Sequence, residues 1–238
     1  MWRGNPLVAM IPPYLLGIGI SLLMTLDFWR GGESGSSMHA LFLYAIVGTA
    51  VGYILYPVKS SVCSSPLLAI FVWSSGAAIS VFAFWLVVSV TLALPLVIRL
   101  GLAIGLIQAT ILLLRHVIGR RFSQARAGVL VAALTILCAS SPIWLSPWLE
   151  WSGEHSPLMD LALAMSPPTC FAVALDYDYL RSPWFYKHTA YAMHRYEYPS
   201  AGLLIFVYGF LCLAAVRIDR RFRKSSPNEP FGKFQHDT

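Results

Sequence analysis

Histidine and aspartate side chains, the residues best suited to bind a metal or move a proton, are concentrated between residues 149 and 199. Imidazole nitrogens and carboxylate oxygens are both common metal ligands. His188 and His194 are six positions apart, however, so on a helix they would lie on different faces. We therefore expect no metal and no cofactor here, and interpret the cluster as polar residues of a wet interfacial segment. Its members are His155, Asp160, Asp176, Asp178, His188 and His194.

An alternative interpretation keeps a metal site built from His155, His188 and His194. The chain would then be a polytopic membrane enzyme or a redox-complex subunit that uses the histidines and aspartates of 149–199.

Three sequence patterns that carry catalysis are absent from the sequence, namely GxxxxGK[ST], HExxH and GxSxG. We therefore predict that the chain is not an enzyme by itself and cannot hydrolyse ATP through a P-loop.

Long apolar runs must position these residues, because they recur along nearly the whole chain. Apolar residues make up 57% of the 238 residues and charged residues only 12%, which is about half the charged share of a soluble domain. Since about 20 apolar residues span a bilayer, the sequence predicts an all-α integral membrane protein with six transmembrane helices. One polytopic domain covers 1–224, and 225–238 form a disordered cytoplasmic tail. The predicted spans are 6–26, 39–57, 66–91, 96–114, 127–148 and 200–217.

The distribution of charge predicts how these spans are oriented. Most of the 17 Lys and Arg residues fall on one side of the six spans, and most of the acids fall on the other. Because cytoplasmic loops hold the excess of basic residues, both termini are predicted to lie in the cytoplasm, with the chain in the cell's inner (plasma) membrane. The basic residues are in short loops beside apolar runs, which favours contact with lipid headgroups and argues against a nucleic-acid partner.

The segment 149–199 interrupts this regular pattern on the outer side. Its apolar run from Leu158 to Leu175 contains Asp160 and the helix-breaking sequence Ser166-Pro167-Pro168, so it cannot form a regular span. The sequence predicts two short interfacial or re-entrant helices instead. Aromatic and basic residues follow them, a composition typical of the headgroup level.

Glycine pairs and one arginine mark two further features of the spans. Gly48 and Gly52, and likewise Gly101 and Gly105, are four residues apart, a spacing that lets another helix backbone approach closely. We expect them to contribute to helix packing. Arg99 follows the short connection between the third and fourth spans, and we expect its side chain to extend to the nearby interface.

The sequence resembles the membrane subunits of ABC transporters of the ABC-2 (type 2 exporter) permease class. The resemblance covers most of the length and is one of architecture: six spans, both termini inside, a tight outer hairpin between spans three and four, and an interrupted outer segment before the last span. Local runs are also similar to such permeases, namely Leu94-Pro95, Ala109-Thr110-Ile111-Leu112-Leu113-Leu114-Arg115, Arg120-Arg121, Ala164-Met165-Ser166-Pro167-Pro168-Thr169, Tyr198-Pro199 and Arg217-Ile218-Asp219-Arg220-Arg221-Phe222.

The resemblance implies an export permease that pairs with a second permease subunit and with a separate ATP-binding cassette subunit, which docks on cytoplasmic loops. The charged amphipathic helix that usually precedes the first span in this class is missing here. The remaining candidate docking surfaces are the N-terminal residues 1–6, the loop around 58–66, and the basic loop 115–126. Their basic side chains include Lys59, Arg115, Arg120, Arg121 and Arg126. A third interpretation, an accessory subunit that only anchors or assembles other proteins, also stays open.

Overall fold

A computed structural model describes residues 36–56, 65–88, 92–148, 157–181 and 198–225. Within these ranges the chain is helical and forms no strand. A 3-10 turn, Tyr179–Arg181, precedes the last helix. The helices are α1 Ser36–Ile54, α2 Pro66–Val88, α3 Leu94–Ile118, α4 Gln124–Ala139, α5 Ser141–Trp144, α6 Pro157–Met165, α7 Pro167–Ala174 and α8 Ala201–Ser225.

Three of the described helices are long and apolar enough to cross a membrane, within Pro66–Leu86, Leu94–Ile118 and Ala201–Phe222. They coincide with the spans predicted at 66–91, 96–114 and 200–217. The spans predicted at 39–57 and 127–148 coincide with shorter apolar helices, Met38–Ile54 and Gln124–Ala139. The span predicted at 6–26 lies outside the described residues, as does the tail after residue 225. The chain is thus a multi-pass membrane protein that is helical throughout the described ranges.

The helix predicted at 127–148 is shorter than its apolar run. Helix α4 ends at Ala139, and the four-residue helix α5 follows. The hydroxyl of Ser140 donates to the Ile136 carbonyl (2.8 Å), and that of Ser141 donates to the Cys138 carbonyl (2.7 Å). Pro142 then has no N–H with which to continue the helix. The described helix is therefore shorter than the span predicted at 127–148, because serines and a proline end it.

Helix α3 is the centre of the bundle. It begins right after the connection at Leu92 and Ala93, with Pro95 in its first turn, where a missing N–H costs nothing. It packs against α1, α2, α4, α7 and α8. Its long buried face is apolar except for Gln108 and Thr110. The most buried residues are Val97, Leu100, Ile104, Ile107, Gln108 and Leu112.

Helix α2 lies against both α1 and α3. The Tyr44 hydroxyl of α1 donates to Ser80 Oγ at 2.5 Å, and its ring stacks on Phe84 with centroids 4.3 Å apart. On the α3 side, a Cβ added to Gly101 would lie 3.1 Å from the Ala78 carbonyl oxygen, and one added to Gly105 would lie 3.2 Å from the Ala78 Cβ. The two glycines thus let the backbones of α2 and α3 approach closely.

The segment predicted at 149–199 contains two short helices, α6 and α7, which are separated at Ser166. The break into two helices is as predicted, and their interfacial or re-entrant position stays a prediction. The buried Ser166 hydroxyl donates to the Ala139 carbonyl (3.2 Å), and the Ser141 hydroxyl also donates to the Ala162 carbonyl (2.7 Å). Helix α7 packs against α1, α3, α4 and α8, with Phe171 and Ala172 buried. It therefore lies inside the bundle.

Substitution of Gly101 by alanine tests the close contact between α2 and α3. We expect Gly101→Ala to lower the free energy of unfolding by about 1 kcal/mol, since the added Cβ forces the Ala78 backbone away. The matched control is Gly209→Ala on α8, where nothing lies within 4 Å of the added Cβ. Equilibrium unfolding in mixed detergent micelles measures both, and equal stabilities would contradict the packing role.

Candidate functional site

A buried amide on α3 binds the backbone of α1. Gln108 is fully buried. When its amide is oriented so that both ends are hydrogen-bonded, the side-chain nitrogen donates to the Thr49 carbonyl at 3.1 Å and the oxygen accepts from the Tyr53 N–H at 3.2 Å. These two backbone groups are one turn apart on α1. An amide in apolar surroundings is costly unless both of its ends are hydrogen-bonded, so the interaction fixes how α1 faces α3.

The same stretch of α1 is also bound by α2. Trp73 Nε1 donates to the Gly52 carbonyl at 2.9 Å. A Cβ on Gly52 would come within 3.2 Å of the Gln108 amide, so a residue without a side chain allows the approach. Gly48, the other member of this predicted pair, faces only Tyr44 of its own helix. The last turns of α1 are therefore held from both α2 and α3.

Arg115, near the end of α3, makes a further contact between α3 and α1. Its guanidinium lies 5.2 Å from the centroid of the Tyr53 ring, and one guanidinium nitrogen donates to the Tyr53 carbonyl at 3.4 Å. The Tyr53 hydroxyl in turn donates to the Gly128 carbonyl of α4 at 2.6 Å. A cation over an aromatic face is attracted to its negative π surface. Tyr53 thus joins α1, α3 and α4.

Asp219 of α8 is the one fully buried carboxylate among the described residues. Its Oδ1 lies 2.7 Å from Arg120 Nε, as an ion pair without an aligned hydrogen bond. The same oxygen lies 3.1 Å from His116 Nε2. A buried carboxylate requires such partners because its desolvation is expensive. The pairing therefore fixes α8 to the end of α3.

The four described arginines that the sequence predicts for partner docking divide into two groups. Arg115 and Arg120 are engaged inside the chain by Tyr53 and Asp219. Arg121 and Arg126 are exposed, and the Arg121 guanidinium lies 5.1 Å from the Phe222 ring centroid. Lys59 lies outside the described residues. We call this region the basic end; it consists of Arg115, His116, Arg120, Arg121, Arg126 and Asp219.

Charged and aromatic residues also meet at the opposite end of α3. Arg99 pairs with Asp176 at 3.5 Å, and both side chains are more than half exposed. Arg181 pairs with Asp178 at 3.1 Å, and Asp178 also accepts a hydrogen bond from the Tyr198 hydroxyl at 2.7 Å. Arg99 thus reaches the bundle surface, where an acid of the outer segment is its partner.

Helix α1 contacts the same end through an imidazole. His39 Nδ1 and the Tyr177 hydroxyl are hydrogen-bonded at 2.8 Å. Burial raises the pKa of the Tyr177 phenol, and the nearby Asp178 carboxylate raises it further. The phenol therefore stays protonated and neutral at physiological pH. The contact between His39 and Tyr177 is a hydrogen bond that involves a neutral tyrosine.

The histidines of the alternative metal site, His155, His188 and His194, lie outside the described residues. The aspartates of the predicted cluster are described: Asp160 is exposed, and Asp176 and Asp178 each pair with an arginine. Within the described ranges, no three His, Cys, Asp or Glu residues are grouped so that they could hold a metal ion.

The pairing of His116 with Asp219 was not predicted from the sequence, because the two residues are about 100 positions apart. A usable signal was present. Asp219 is an acid between Arg217 and Arg220 at the end of an apolar helix, a position where an acid needs a specific partner.

Replacement of Asp219 by asparagine tests the ionic contact between α3 and α8. We expect Asp219→Asn to destabilise the protein by roughly 3 kcal/mol, the low end for breaking a buried pair, because Arg120 and His116 keep some contact with solvent. Asp176→Asn, which breaks an exposed pair, should cost less than about 1 kcal/mol. Unfolding titrations compare the two variants, and similar costs would contradict the stabilising role of Asp219.

The basic end therefore combines a fixed part, formed by Arg115 and Arg120 with their partners, and an exposed part, formed by Arg121 and Arg126. Such an arrangement can bind an acidic surface and connect it mechanically to α1, α3 and α8.

No family model matches the chain, and neither a curated protein nor a solved structure matches it.

Proposed function

We propose that this chain is the membrane-spanning permease subunit of an ABC-type exporter. It is not catalytic itself: a separate ATP-binding cassette subunit supplies the energy, and a second permease subunit completes the transport path. The chain lies in the inner (plasma) membrane, and both termini and the basic end are on its cytoplasmic side. The observation that carries the proposal is that the basic end brings together residues of α3, α4 and α8 and is bonded to α1 through Tyr53.

Exposed arginines on the connection between α3 and α4 form the docking surface. Arg121 and Arg126 are exposed there, and Ser123 caps α4 by accepting from the Arg126 N–H at 3.4 Å. Acidic side chains on the partner would pair with the two guanidinium groups. Because Arg121 is in the turn after α3 and Arg126 is in the first turn of α4, the partner contacts this turn and α4 at once.

Two sets of side-chain contacts transmit movement of the docked partner to the membrane helices. The ion pair between Arg120 and Asp219 carries it to α8. The contact of Arg115 with Tyr53 carries it to α1, which Gln108 and Trp73 hold against α3 and α2. Coupling requires packed elements that move together. Nucleotide-driven closure of two ATP-binding subunits would in this way shift α1, α3 and α8 and open a path at the permease interface.

Two further features support a transport subunit. The long apolar helices carry few charged side chains between their ends, which favours a path for a bulky or apolar substrate over a proton-coupled pump. The short helices α6 and α7 enter the bundle between α5 and α8, and broken helices inside a membrane bundle are typical of transporters.

Capture of partners tests the proposal. The tagged chain is purified in mild detergent, bound proteins are identified by mass spectrometry, and ATP hydrolysis is assayed in the eluate. We expect a stoichiometric protein with a GxxxxGK[ST] motif, and loss of ATP turnover when the lysine of that motif is replaced. Absence of any such protein in several detergents would disprove the proposal.

A charge reversal then locates the docking surface. We expect the double substitution Arg121→Glu and Arg126→Glu to reduce the captured ATPase at least about tenfold, because two attractive contacts become repulsive. The matched control is Arg181→Glu, an equally exposed arginine at the other end of the bundle. Equal capture by the double variant and the control would place docking elsewhere on the chain.

A further inference from the structure

A groove runs along the side of the bundle between α3, α7 and α8. Its empty space, including the open side, is ≈370 Å³. Apart from one arginine, apolar side chains dominate its lining, with Ala103 and Ile107 on α3, Val173 on α7 and Leu204 on α8. The neighbouring side chains Leu102 and Ile205 are exposed, so the groove opens on the apolar surface that a bilayer covers.

The groove is long and narrow. Its α3 wall is formed by Arg99, Ala103 and Ile107, which are four residues apart and lie on successive turns of one helix face. At a rise of 1.5 Å per residue this wall is about 12 Å long. Helix α8 runs beside it from Ala201 to Tyr208. An elongated apolar chain laid along this wall would contact α3 and α8 over its length.

Two opposite charges are located at one end of the groove. Arg99 lines its mouth, and its guanidinium lies 3.5 Å from the Asp176 carboxylate. The side chains are 54% and 68% exposed, so solvent weakens their mutual attraction and each can take another partner. The mouth thus presents a positive and a negative group side by side, with no net charge.

We propose that the groove binds one acyl chain of a phospholipid with an ethanolamine headgroup, whose phosphate pairs with Arg99 and whose ammonium pairs with Asp176. The planar guanidinium can donate two hydrogen bonds to a phosphate, and the carboxylate accepts from the ammonium N–H groups. A choline headgroup carries the same charges but no N–H donor. A glycerol headgroup leaves Asp176 facing a net negative lipid. The paired charges therefore select one headgroup of the three.

Lipid retention on the purified full-length chain tests this site. The chain is exposed to an equimolar mixture of phosphatidylethanolamine, phosphatidylcholine and phosphatidylglycerol with identical acyl chains, and bound lipid is counted by native mass spectrometry. We expect a preference of roughly five-fold for phosphatidylethanolamine, the size expected when one solvent-exposed charged contact, that of the ammonium with Asp176, is gained. Equal retention of the three lipids would overturn the proposal.

Two substitutions at the mouth should change selectivity in different ways. Arg99→Gln should lower retention of all three lipids, because each has a phosphate. Asp176→Asn should abolish the preference for phosphatidylethanolamine and raise retention of phosphatidylglycerol. Asparagine tolerates the left-handed backbone of Asp176 (φ 52°), so the fold is preserved. The control Arg181→Gln breaks a comparable arginine–aspartate pair away from the groove, and a loss equal to that of Arg99→Gln would overturn the site.

A further pair of variants tests the groove itself. Ala103→Phe places a ring inside it, whereas Leu102→Phe adds the same type of group at an exposed neighbouring position. We expect loss of bound lipid only for Ala103→Phe, and an unchanged lipid count for that variant would contradict the site. The measurement needs no ATPase, so its outcome is independent of the transport proposal.

Discussion

The hydrogen bonds of Gln108 to the backbone of α1 are the interaction on which the basic end depends. In an apolar interior the amide has few alternative partners, and leaving it unpaired would cost more than a typical hydrogen bond contributes. It therefore sets both the height and the rotation of α1 against α3. With α1 in this position, Tyr53 lies beside Arg115 and within hydrogen-bonding distance of Gly128. A shift of one helical turn would separate all three residues.

Asp219 is a second buried polar side chain that fixes the position of a helix, in this case α8. Among the described residues, α8 buries little of its surface within the chain, so general apolar packing constrains it weakly. A specific ionic contact with Arg120 and His116 fixes its register at one end, and Thr110 contacts Cys212 at 3.0 Å farther along. A helix held by few, directional contacts can move as a unit when one of them moves.

Features that depend on local chemistry were predictable from the sequence. The long apolar runs predict the three helices that are able to span, and the prolines at 167 and 168 predict the separation of α6 from α7. Pairings between distant residues were not predictable, because Gln108 with Thr49 and Asp219 with His116 depend on the relative rotation of whole helices. The early end of α4 was also missed, since the serines at 140 and 141 follow an apolar run whose length alone favoured a longer span. Of the candidate site, the sequence identified the arginines but did not separate those that bind within the chain from those that are exposed.

The short length of α4 has a consequence for the surrounding lipid. Its 16 residues rise about 24 Å, whereas the hydrocarbon core of a bilayer is about 30 Å thick. Helix α3, with 25 residues, exceeds that thickness. Just beyond α4, Trp144 and Trp148 are exposed, and tryptophan prefers the headgroup level. If α4 crosses the membrane as the sequence predicts, this hydrophobic mismatch would thin the bilayer beside α4 relative to the bilayer beside α3.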